Sequence, residues 1–94
     1  MNENQLETKE KVLNNFSIKE LTDQRGDNYY LVLDNEAQDK RNNGYFCFNS
    51  STQAFELISS QYNQNNQPSL SALNIEYEES EKNGRKVRRI ISIR

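Results

Sequence analysis

The stretch "GYFCFNSSTQAFELI" sets Tyr45, Phe46 and Phe48 around Cys47, and Tyr29 and Tyr30 form a second aromatic pair upstream. Such rings are either core or a flat surface for something planar to stack on. On adjacent strands they would receive nucleobases, while lysines and arginines in nearby loops would neutralise phosphates. Other chemistry is poorly supplied. The chain has no histidine, which removes imidazole acid–base catalysis and most zinc site types. It has no phosphate loop, dinucleotide fingerprint or Cys-x-x-Cys. Glu76, Glu78, Glu79 and Glu81 form an acidic run suited to acid–base work or a hard cation. Across a hairpin from Arg85, Arg88 and Arg89, the same run reads as a solvated, charge-paired strand. Nothing near Cys47 in sequence would stabilise a thiolate, so it reads as a small packed strand residue. These residues lead us to expect a non-enzymatic protein with no metal and no cofactor.

Ninety-four residues make one domain. Only 33% are hydrophobic, but the net charge is −2 and the apolar residues cluster, which favours a thin folded core with polar loops. A lone cysteine fits a reducing cytoplasm. The opening "MNENQLETKEK" has no apolar segment of signal-peptide type, and no apolar run reaches membrane-spanning length.

The elements that must carry the rings follow from periodicity. Residues 1–13 are polar, with Leu6 and Leu13 a heptad apart, which fits a short helix or a flexible tail. Residues 14–94 form the domain. In "NFSIKELTDQRGDNYYLVLDN", Phe16 and Ile18 alternate with Ser17 and Lys19, "TDQRGD" turns, and "YYLVLD" returns. The polar loop "NEAQDKRNNG" leads into a third strand, "YFCF". Ser50 and Ser51 are good N-cap residues, Ser50 and Gln53 have capping-box spacing, and the apolar period predicts a helix over 51–62.

"LSALNIEYEESEKNGRKVRRIISIR" is a hairpin. A two-residue Asn83-Gly84 turn would set Ile75 opposite Ser92 and mix the faces. A three-residue Lys82-Asn83-Gly84 loop instead pairs Leu73 with Ile93, Ile75 with Ile91, Glu78 with Arg88 and Glu81 with Arg85. We expect the second register, with Gly84 in the left-handed region.

Three strands, a helix and a closing hairpin over residues 14–94 resemble the OB-fold, a five-stranded Greek-key barrel; the alternative is another small α+β sheet. The first strand lacks the glycine many OB-folds bend at, so a bulge at Glu20-Leu21 is expected instead. The resemblance implies a ligand face on the second and third strands, flanked by the loops joining strands one to two and four to five.

Polar residues set the expected facing. With Asp34 turned to water, Tyr30 and Val32 lie outside and Tyr29, Leu31 and Leu33 inside. With Asn49 outside, Tyr45 and Cys47 join it, and Phe46 and Phe48 point inward. The expected core is Phe16, Ile18, Leu31, Leu33, Phe46, Phe48, Leu57, Ile58, Leu73, Ile75, Ile91 and Ile93. The expected platform is Tyr30 and Tyr45, with Lys19 beside them and Arg25, Lys40, Arg41, Lys82, Arg85 and Lys86 in the loops. The expected partner is single-stranded DNA or RNA. The alternative is a non-enzymatic protein-interaction or assembly module using the same surface.

Overall fold

The alternating segments become strands, and one more strand forms upstream of them. The computed structural model describes residues 7–40, 42–62 and 72–94. They form β1 (Glu7–Leu13), β2 (Phe16–Thr22), β3 (Asn28–Asp34), β4 (Gly44–Cys47), α1 (Thr52–Tyr62), β5 (Leu73–Lys82) and β6 (Arg85–Ile93). Among the described residues the protein is mostly β with one helix. Its strands make a single mixed sheet in the order β1-β5-β6-β4-β3-β2. Only β4 and β6 run parallel.

Glu7–Leu13 is therefore neither a helix nor a tail. It is an edge strand, antiparallel to β5 from Glu7 opposite Glu79 to Leu13 opposite Leu73. Only Leu13 in it is buried, so no alternation marked it. The ladder to β5, the buried Leu13 and a Lys9–Glu79 ion pair at 3.1 Å hold it in place. Residues 1–6, with Leu6 of the expected heptad, lie outside the described residues.

β1 and β2 sit at opposite edges of the sheet, yet only Asn14 and Asn15 separate them in the chain. Three peptide steps span at most about 11 Å. The sheet must therefore curl until its two edges meet at this corner, although no strand pairing joins β1 to β2. The corner is tied to the end of β3: Asn35 donates its backbone N–H to Asn15 O at 2.9 Å, and its side-chain amide donates to Asn15 Oδ1 and Ser17 Oγ. The chain bends here and not at Glu20-Leu21, where β2 pairs with β3 in unbroken register.

The buried face carries Leu13, Phe16, Tyr30, Val32, Tyr45, Cys47, Leu73, Ile75, Tyr77, Ile90 and Ile93, and α1 adds Ala54 and Ile58. Ile18 and Leu57 pack against this core partly buried. The facing expected for β3 and β4 is thus reversed. Tyr30, Val32, Tyr45 and Cys47 point inward, and Leu31, Leu33, Phe46 and Phe48 are half-buried on the other face. Two physical facts explain the reversal. Asp34 is only 5% exposed, because its carboxylate accepts the Glu36 N–H at 3.0 Å and faces Lys11 Nζ at 3.9 Å. A strand-end carboxylate satisfied by the next turn need not face water. Asn49 lies beyond the end of β4, where strand alternation no longer applies.

The final hairpin uses the two-residue turn. Asn83 and Gly84 have φ of 55° and 78°, and Lys82 pairs with Arg85. Positive φ at both central residues is the type I′ geometry that Asn-Gly favours. The resulting slip is absorbed by a bulge: pairing steps from Glu76–Ser92 to Tyr77–Ile90, leaving Ile91 as the extra residue. Ile75 therefore faces Ile93, not Ile91, and Glu78 and Glu79 pair with Arg89 and Arg88. Gly84 holds the left-handed conformation expected of it.

Helix α1 begins one residue later than expected, and its first turn is used differently. Gln53 closes no capping box. Its amide donates to Ile93 O at 2.7 Å and accepts the Ile93 N–H at 3.0 Å, acting as a one-residue continuation of the ladder. Helix α1 packs against β2, β3, β4 and β6, bridging both halves of the curled sheet.

Candidate functional site

Alternation places Tyr29, Leu31 and Leu33 of β3 and Phe46 of β4 on the face that α1 does not cover, and Phe48 continues it. The Phe46 and Phe48 rings are stacked, 5.8 Å apart at 12°. Tyr29 lies against both, at 6.1 Å from Phe46 and 5.4 Å from Phe48. All three rings are half-exposed. Gly44 opens this face at the start of β4: a Cβ there would meet Leu31 Cδ1 at 2.9 Å, so the bare backbone is what lets Leu31 lie across it. On β6, Val87 and Arg89 border the rings, and Arg89 holds Glu78 at 2.6 Å.

The structure divides the expected site residues. Tyr30 and Tyr45 are 3% and 4% exposed. The Tyr30 hydroxyl donates to Glu20 Oε2 at 3.2 Å and accepts from the Ser59 hydroxyl at 3.1 Å, and its ring packs on Phe55 and Tyr62. Tyr45 meets Tyr77 edge-on at 5.0 Å beneath the Arg88 guanidinium at 5.3 Å, and burial pushes its phenol up to about 12. Neither ring can receive a base.

Lys19 neighbours Leu31 on the open face, and alternation places Lys82 and Arg85 there too. Arg25 sits in the exposed β2–β3 turn, beyond the Leu21–Tyr29 pair. Lys40 donates to Asn35 O within the β3–β4 loop, and Lys86 lies on the opposite face, 3.5 Å from Glu79. Arg41 lies outside the described residues. Sequence reasoning missed Tyr29, Phe46 and Phe48 as surface residues, and placed Arg89 in the solvated hairpin without linking it to the rings. It had already grouped Tyr29, Phe46 and Phe48 on one face, and lacked only the sign of that face.

The opposite side has its own polar cleft of ≈ 570 Å³, lined in part by Lys11, Asp34, Asn43, Tyr45, Lys86 and Arg88. Next to it, Glu79 is buried between Lys9, Lys86 and Arg88. Burial alone would raise its carboxyl, but the Lys9 hydrogen bond and the three cations outweigh that and hold it below the ordinary 4.5. The cross-hairpin pairing expected for the acidic run is met by Glu78 with Arg89 and Glu79 with Arg88, but Glu79 is buried and not solvated, and its nearest cation is Lys9 of β1. Among the described residues, no three carboxylates or thiols are grouped to hold a metal. Burial pushes the Cys47 thiol up to about 12, so it is a poor nucleophile. Among the described residues, no helix is long and apolar enough to cross a membrane. Comparison with protein-family models, curated proteins and solved structures found no match to this chain.

Proposed function

We propose that the protein is a small non-enzymatic module that binds single-stranded nucleic acid on the open face of β3 and β4. The observation carrying this reading is the cluster of Tyr29, Phe46 and Phe48, half-exposed on neighbouring strands with Lys19, Lys82 and Arg85 on the same face. Bases stack on such rings whatever their identity, and the cations meet the phosphates. The topology is compatible with an OB-type reading. Counting β1 and β2 as halves of one strand bent at Asn14-Asn15 leaves five strands and one helix, with the sheet edges brought together as in a partly open Greek-key barrel. In that scheme β3 and β4 are the second and third strands, the ones whose outer face would carry the ligand.

The test is fluorescence anisotropy of a labelled oligo(dT) at low salt. Micromolar binding is expected, and Phe46→Ala should weaken it about five- to a hundredfold. No detectable binding at about 100 μM protein ends the reading. A second reading, a protein-docking face on the same rings, is favoured by the aliphatic surround of Leu31, Leu33 and Val87. Partner binding insensitive to salt would mark it.

A further inference from the structure

Beside Phe48 the open face dips into a pocket of ≈ 250 Å³ lined by Phe48, Glu78, Ser80, Val87 and Arg89. Phe48 and Val87 make its lining partly apolar, and Glu78, Ser80 and Arg89 make the rest polar. Strand pairing puts Glu78 directly opposite Arg89, and Arg89 Nη2 donates to Glu78 Oε1 at 2.6 Å. That bond fixes the carboxylate while leaving Glu78 Oε2 and further guanidinium N–H groups without partners among the described residues. The Phe48 ring joins the pocket to the stacking cluster through Phe46.

We infer that this pocket takes one guanine of a bound single strand, an assignment that rests on the nucleic-acid reading above. A carboxylate beside a guanidinium offers two acceptors next to a row of donors. Among the four common DNA bases, only guanine presents two adjacent N–H donors, N1–H and N2–H, on one edge, with the O6 acceptor next to them. Glu78 accepts N2–H at Oε2 and N1–H at the second lone pair of Oε1, which keeps its bond from Arg89, and a further Arg89 N–H donates to O6. Adenine and cytosine each present one amino group beside a ring acceptor, which the second carboxylate oxygen repels, and thymine offers a single N–H between two carbonyls. Paired recognition of this kind discriminates between bases by about five- to a hundredfold, and the partial exposure of Glu78 and Arg89 places this site at the lower end.

The experiment compares anisotropy titrations of oligo(dT), the same oligomer with one central dG, and the same with inosine replacing that dG, which removes only the N2 amino group. Wild type should bind the dG oligomer about fivefold more tightly than oligo(dT). Inosine should lose most of that preference, and Glu78→Gln should reduce the dG-to-dT ratio to within about twofold of unity. Far-UV circular dichroism verifies that the variant is folded, and the inosine arm needs no variant. Equal affinity for dG and dT in the wild type, or a preference that survives inosine or Glu78→Gln, overturns the pocket and leaves the stacking face standing. Failure of every oligomer to bind overturns both.

Discussion

Tyr45 and Phe46 are neighbours in the chain, and removing their rings should have opposite consequences. Tyr45 fills the space between Tyr77 and Arg88 at 4% exposure, so Tyr45→Ala leaves a cavity and should cost about 3–5 kcal/mol, much of the stability of a small domain. Phe46 is half-exposed, so Phe46→Ala should leave most of that stability in place while weakening binding. Thermal melts of the two variants check the pair, and a larger loss in Phe46→Ala would restore the facing that Asp34 and Asn49 suggested. Glu79 gives a pH prediction. Folding lowers its pKa, so its contribution is present above the ordinary 4.5 and is lost as pH falls through the lower folded value. Denaturant midpoints should therefore drop on acidification below about pH 4.5, and Glu79→Gln should be less stable at pH 7 with a shallower acid loss. An unchanged acid limb in the variant would remove Glu79 from the account. At this scale the grouping of Tyr29, Phe46 and Phe48 was legible because strand alternation is local. Its direction was not, because Asp34 reads as a carboxylate facing water until the Glu36 N–H that satisfies it, and Lys11 of β1 beside it, are placed.

Among the elements, the final hairpin shows two local rules in competition. Asn-Gly demands a tight turn, and matched apolar faces demand a one-residue slip. The bulge at Ile91 satisfies both, and a bulge leaves no mark in a sequence read one strand at a time. Gly84 has φ +78° and open space where a Cβ would lie, so the cost of Gly84→Ala is backbone strain alone, about 1 kcal/mol. A domain of this size should then melt about 4–8 °C lower. An unchanged melting temperature would mean the turn is not held in the left-handed region. Helix α1 was legible within one residue at its start, since its apolar period is strong. β1 was invisible because six of its seven residues are exposed. Deleting residues 1–13 should bare the β5 edge and remove Leu13 from the core, which predicts a lower melting temperature and association by size-exclusion chromatography. A monomer with wild-type melting would contradict that role.

Over the whole molecule, a net charge of −2 opposes binding to any polyanion, so affinity must come from local arrangement. With about three phosphates neutralised by residues such as Lys19, Lys82 and Arg85, log affinity should fall with log salt at a slope near −2. Reversing the charge of Arg85 should flatten that slope, which anisotropy at several ionic strengths reads directly. The curled sheet separates two chemically different surfaces, the aromatic face of β3 and β4 and the polar cleft beside Arg88. Amide chemical-shift mapping during an oligo(dT) titration distinguishes them most directly. Binding on the open face should shift Tyr29, Leu31, Phe46, Phe48, Val87 and Arg89, leaving Lys11, Asn43 and Lys86 in place. Shifts gathered around the cleft, or no shifts at saturating oligonucleotide, would contradict it.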